Sequence, residues 1–196
     1  MSRVFPPVSL IGAPTDIGAG TRGSSMGPEA LRVAGIGPVL EGHGLEVIDR
    51  GNLSGPPNPW KPPETGYRHL DAVVAWNRSV HVAVHAELTE GRKPVLLGGD
   101  HSLGIGSISA VARYCRETNR KLRVLWLDAH ADFNTNQLTP SGNLHGMPVA
   151  CLCGPKPQRT ATGMPCRLPL GVSWLVLKSA WASSQSTRSV WLVSRQ

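Results

Sequence analysis

From residue 133 to residue 196 the chain contains no aspartate and no glutamate. Phenylalanine and tyrosine are scarce, two of each, and charged residues make up only 17%. Four cysteines in 196 residues exclude a disulfide scaffold. No apolar run reaches the roughly 18–20 residues of a membrane span, since Leu168 to Leu177 is half that, so no membrane partner is expected. The opening Met1-Ser2-Arg3-Val4-Phe5-Pro6-Pro7 has no apolar stretch behind its arginine, unlike a secretory signal. What is present is 40% apolar residues, 22 glycines and 17 prolines. A chain of this size buries about 70% of its unfolded surface, so it needs no staple to build a core. These features predict a cytoplasmic α/β protein.

The net charge of +7 is unevenly spread. Residues 1–154 carry 14 Lys/Arg against all 13 acids, whereas residues 155–196 carry six Lys/Arg and three of the six tryptophans. The tail has no repeat, no motif and no helical face, so no nucleic-acid partner is expected of it. The chain divides into a folded part, 1–154, and an unrelated basic Ser/Trp/Arg tail, 155–196. A frameshift or disorder accounts for such a tail.

Within the first part, strand and helix patterns alternate, which predicts a parallel sheet covered on both faces. Val8 to Ala13 reads as a buried strand, Leu45 to Asp49 as a second, Val95 to Leu97 as a third and Leu122 to Leu127 as a fourth. The last is apolar throughout after Arg123, as expected of a strand buried on both sides. Its far edge is expected to be open. Gly27-Pro28-Glu29 starts a helix with Pro28 in the first position, and a 3.6-residue stripe marks a long helix from Tyr67 to Glu90, ended by Gly91. Leu103 to Thr118 is another.

Directly after the fourth strand comes Asp128-Ala129-His130-Ala131-Asp132. In extended chain alternate residues face one way, so Asp128, His130 and Asp132 can converge. Carboxylate oxygen with imidazole nitrogen suits divalent Mn, Fe or Zn, and an oxygen-rich, thiolate-free set leans toward Mn. Gly98-Gly99-Asp100-His101-Ser102 closes the preceding strand, taken as a spatial neighbour, so His101 can reach a cation shared with Asp132. A third segment, Ser141-Gly142-Asn143-Leu144-His145-Gly146, is a polar loop around a histidine, the side chain suited to proton transfer near neutral pH. Gly18-Ala19-Gly20-Thr21-Arg22-Gly23 matches a dinucleotide fingerprint literally, but Pro14-Thr15-Asp16 precede it and Ser24 to Gly27 delay the helix. His81 and His85 lie four apart on the long helix, without the glutamate that a His-Glu-x-x-His site requires.

The order and spacing of these three segments, with the glycine-rich loop and Gly27-Pro28-Glu29-Ala30-Leu31-Arg32, resemble the arginase family over residues 8 to about 154. The resemblance implies a three-layer α/β/α fold with a parallel sheet, here truncated. It also implies a dimanganese (Mn2+) hydrolase that converts L-arginine and water to L-ornithine and urea, a metal-bridging hydroxide attacking the guanidinium carbon. His101 and Asp132 would bind one manganese, His130 the other, and Asp128 would bridge both. Asn134 and Ser141 would hold the substrate carboxylate, Asn143 would support the amino-acid end, and His145 would shuttle the proton, with Asp132 orienting the attacking water. The agmatinase branch is the alternative within the family, and an inactive fragment acting as a binding or assembly module is the alternative outside enzymology. Family chains supply an Asp-x-Asp pair and a glutamate from a second half and assemble as trimers or hexamers. This chain has no acid after Asp132. The expectation is therefore a weak second metal site, impaired hydrolysis and no secure trimer or hexamer.

Overall fold

The computed structural model describes residues 5–62, 66–135 and 137–153, together with the backbone of 173–178 and 192–194. Strand β1, Val8–Gly12, is buried along its whole length. It lies between β2, Val47–Asn52, and β3, Lys93–Leu97, and both pairings are parallel. Strand β2 begins two residues later than the sequence suggested. The Leu45 N–H is spent on the Leu40 carbonyl, which closes the preceding helix, and Arg32 then grips Asp49, the Gly51 carbonyl and Asn52. That clamp extends the strand to Asn52.

Strand β4, Arg123–Asp128, belongs to a second group, between β5, Ser173–Lys178, on the parallel side and β6, Leu192–Ser194, on the antiparallel side. Two expectations change here. The ends of β3 and β4 are not paired neighbours, and β4 has a strand on each edge rather than an open one. Nor is β4 buried on both faces: Val124 and Trp126 are buried, while Leu127 is 37% exposed. The strand's two-residue period turns Val124, Trp126 and Asp128 to one side, and that side alone meets the core. Beyond β5 and β6, the tail 155–196 lies outside the described residues.

Helix α1, Gly27–Val33, has Pro28 in its first turn, where the missing N–H costs nothing. Helices α2, Ile36–Gly42, and α5, Pro148–Cys153, have no counterpart in the periodicity analysis. Pro38 in the first turn of α2 and Pro148 at the start of α5 are compatible with helix for the same reason. The long α3, Leu70–Thr89, and α4, Gly104–Glu117, pack against each other, close to their expected bounds. Gly91, with φ of +79°, follows α3 in the left-handed conformation that glycine adopts freely.

The contact between α3 and α4 is set by one glycine. A Cβ on Gly106 would collide with the Asn77 carbonyl, and the Gly106 N–H donates to Asn77 Oδ1 at 2.6 Å. An asparagine inside α3 thereby satisfies an N–H that the first turn of α4 leaves without a partner. Around it Val73, Val80, Val84 and Leu88 of α3 join Ile105, Ile108 and Val111 of α4, Ile11 of β1 and Trp126 of β4 in the main core. Each such side chain contributes roughly 1.5–3 kcal/mol when fully buried. Glu87 is a buried charge at the edge of this core. It accepts from Ser9 Oγ of β1 at 2.6 Å and pairs with Arg50 at 2.9 Å and with Arg92, which ties α3 to the sheet.

Candidate metal and substrate site

The chain leaves β3 through Gly98-Gly99, and Gly99 is required by close packing: a Cβ there would overlap the backbone of Thr15. Asp100 N–H bonds the Thr15 carbonyl, and the Asp100 carboxylate caps the 3-10 turn His101–Leu103 through Ser102 N–H at 2.9 Å. The same carboxylate accepts Gly18 N–H at 2.8 Å. Burial pushes the Asp100 carboxyl up, against those bonds. This turn carries His101 sideways from the end of β3 to meet β4, although the two strands share no hydrogen bond.

There His101 Nδ1 lies 2.7 Å from Asp128 Oδ2 and 2.6 Å from Asp132 Oδ2, all three side chains nearly excluded from water. The Trp126 indole packs against the His101 ring, centroids 4.7 Å apart. Burial opposes charge on His101, but the two carboxylates outweigh it and raise its pKa to about 9. Asp128 is held below the usual carboxylate range, burial again opposing and His101 prevailing. One N–H cannot point at two oxygens, and neither Asp128 Oδ2 nor Asp132 Oδ2 has a directed hydrogen bond. Two buried anionic oxygens and one imidazole nitrogen, within 4.8 Å of one another and short of donors, fit a divalent cation.

His130 stands apart. Strand β4 stops at Asp128, so the two-residue alternation does not continue. The His130 side chain is 70% exposed, with Nδ1 3.6 Å from Asp128 Oδ1, outside the buried trio. Asp132 returns to the cluster because its backbone is left-handed, φ +50°, an uncommon conformation for a non-glycine residue that aspartate tolerates. Its carbonyl accepts from Val149 and Ala150 N–H at 3.1 and 3.4 Å, so the first turn of α5 pins this backbone.

The remaining candidates gather beside it. Asn134 N–H bonds the Gly146 carbonyl, Asn143 N–H bonds Ser141 Oγ at 3.3 Å, and His145 N–H bonds the Gly18 carbonyl at 3.1 Å. The glycine-rich loop is thus a wall of this site. A Cβ on Gly18 would lie 2.6 Å from Ser102 Oγ, and Gly18 N–H is committed to Asp100 rather than free for a phosphate. Sequence reasoning quoted Asp100 and Gly18 within its motifs without giving either a role, and overlooked Trp126, which counting back in twos from Asp128 would have found. His81 and His85 are occupied elsewhere, by Ser109 and Glu117 of α4.

A family model described as the Arginase family matches residues 6–179, beyond the residue near 154 where the resemblance was expected to fade. The arginase of Brucella melitensis is 43% identical over 148 residues, which is 75% of this chain and 48% of that protein. Among solved structures, the native arginase of Bacillus caldovelox aligns with a TM-score of 0.69 at 36% identity, covering 87% of this chain and 57% of the other. The Entamoeba histolytica arginase in complex with L-ornithine aligns with a TM-score of 0.72 at 31% identity, with the same coverage. The chain spans about half the length of the curated relatives it matches.

Proposed function

This chain belongs to the arginase family, and from that premise we propose that its buried cluster is part of a manganese centre for hydrolysis of L-arginine to L-ornithine and urea. The observation that carries the reading is the convergence of His101, Asp128 and Asp132 with two carboxylate oxygens lacking donors. His101, Asp128 and Asp132 would hold one cation, and His130 with Asp128 the second. Cations held by these residues would supply a water ionised near neutral pH. Asp132 orients that water toward the guanidinium carbon. Asn134 and Ser141 hold the substrate carboxylate, Asn143 supports the amino-acid end, and His145 returns a proton to the leaving amine. No described helix is long and apolar enough to cross a membrane, and we place the reaction in the cytoplasm.

The same ligand arithmetic sets the expected rate. Hard cations are held by charge and ligand number. Among the described residues the proposed ligand set offers the second cation His130 and the shared Asp128, and no further acid follows Asp132 in the sequence. By itself the chain therefore binds one Mn2+ well and a second poorly, and hydrolyses slowly. Mn2+ titration followed by calorimetry and electron paramagnetic resonance, with a colorimetric urea assay, tests both parts. One strong site with little urea is expected; urea release at the rate of a full-length relative overturns the impairment, and no Mn2+ uptake overturns the metal centre.

A further inference from the structure

His145 sits on the 3-10 turn Leu144–Gly146, which Asn143 precedes without capping it through a side-chain hydrogen bond. The His145 N–H, one of the donors that a first helical turn leaves over, is satisfied from outside by the Gly18 carbonyl at 3.1 Å. Gly18 is held on its other side as well, its N–H donating to Asp100 Oδ2 at 2.8 Å. Each of the two peptide planes that meet at the Gly18 Cα is thus fixed by one hydrogen bond, and glycine has no side chain with which to fix them otherwise. The buried Asp100 is a firm anchor: its N–H bonds the Thr15 carbonyl at 2.9 Å, and its second oxygen accepts Ser102 N–H at 2.9 Å. Both carboxylate oxygens are therefore acceptors, a pattern that an amide cannot reproduce. Burial raises the Asp100 pKa, and the His145 imidazole is among the groups that lower it, so the two side chains lie within electrostatic reach of each other.

We infer that Asp100 is a positioning residue for His145, acting through Gly18: the carboxylate fixes the glycine, and the glycine carbonyl fixes the turn that carries the imidazole. This rests on the proton-transfer reading of His145 above and adds to it a residue that touches neither the substrate nor the transferred proton. A general acid works only within hydrogen-bond reach of the atom it protonates, so the backbone that carries it has to be held. Asp16 is the other buried acid in contact with the glycine-rich loop. Its carboxylate accepts from Gly23 N–H at 3.3 Å and Ser25 Oγ at 3.1 Å, farther along the loop, and so does not hold the Gly18 peptide. Close packing adds to the grip of Asp100, since a Cβ on Gly18 would lie 2.7 Å from Asp100 Oδ1 and 2.6 Å from Ser102 Oγ.

The test uses the full chain in Mn2+, with amide hydrogen exchange read at single residues by mass spectrometry and with the urea assay. Asp100→Asn removes the acceptor, and Gly18→Ala forces the loop away from it. Both should speed exchange of the His145 N–H about tenfold, the effect of one lost hydrogen bond. The Gly142 N–H, closed on the Thr139 carbonyl in the neighbouring turn, should exchange as in wild type. Both variants should lower kcat by about 10- to 100-fold at unchanged KM for L-arginine, since a misplaced acid slows proton transfer and not binding. Asp16→Asn should leave both readouts as in wild type, and should Asp100→Asn fail to fold by circular dichroism, Gly18→Ala decides. A wild-type chain that releases no urea, or a His145→Ala variant as fast as wild type, overturns the proton-transfer reading itself. With that reading intact, four results overturn the role of Asp100 alone: unmoved His145 exchange, a raised KM in place of a lowered kcat, an equal effect in Asp16→Asn, or a loss of Mn2+ affinity in Gly18→Ala large enough to account for its slower rate.

Discussion

Replacing Trp126 by alanine removes the largest wholly buried side chain of the core and the surface against which His101 packs. Its relative exposure is 0%, so the full transfer and cavity cost applies, about 3–5 kcal/mol for Trp→Ala. Against a domain stability of about 5–15 kcal/mol, that loss is between a fifth and all of the total. With an m-value of about 2 kcal/mol/M, the urea midpoint falls by about 1.5–2.5 M. The second effect is on His101. The ring meets two carboxylates on one edge and the indole on its face, so losing the indole removes one support of its orientation toward Asp128 and Asp132. Outer-shell supports of metal ligands are commonly worth 10–100-fold in affinity, and we expect about tenfold weaker Mn2+ binding. Trp126→Phe keeps a ring under His101 and should retain cation affinity at a smaller stability cost. Paired urea melts and Mn2+ calorimetry on both variants decide it. An alanine variant that melts as wild type refutes the burial argument; one that is destabilised yet binds Mn2+ undiminished refutes the support given to His101.

Asp128→Asn should abolish Mn2+ binding measurable by calorimetry, whereas His130→Ala should weaken the first, strong binding event by less than about threefold, because only Asp128 belongs to the buried trio. Burial raises the Glu87 carboxyl, but Arg92, Ser9 and Arg50 together hold it below its ordinary value. A depressed carboxylate stabilises the fold above its unfolded pKa, near 4.5, and that contribution is lost as pH falls through the lower folded value. Glu87→Gln should therefore lower the urea midpoint at pH 7, and the gap from wild type should narrow in melts repeated at progressively more acid pH. Gly106→Val should cost about 1–3 kcal/mol in a thermal or urea melt by forcing α4 off Asn77.

Much of this site is legible in the sequence because its parts are short segments at strand ends. The alternation of apolar runs with helical stripes located β1, α3, β3, α4 and β4 to within a few residues. Asp128, Asp132 and His101 were brought together by residue type, a two-residue period and neighbouring strand ends; the trio does converge, although Asp132 gets there through a left-handed backbone rather than through that period. The pairing of strands could not be, since β3 and β4 are linked through a 3-10 turn rather than through a ladder. His130 was placed with the others by extending a two-residue period past the end of β4, where left-handed Asp132 breaks it. Helices α2 and α5 escaped because their prolines and glycines read as breakers, although first-turn proline is harmless. Asp100 and Asn77 act through contacts 82 and 29 residues away in sequence, which no local pattern reports.

The two N–H groups that α5 places on the Asp132 carbonyl give that short helix a role beyond covering the core. The least favoured backbone among the three buried candidate ligands is fixed by folding, so an ion arriving there would have little main chain left to arrange. On the proposed metal reading, affinity would be coupled to a helix that contributes none of the three candidate ligands. Slackening at Pro148–Ala150 would register first as a looser grip on the ion.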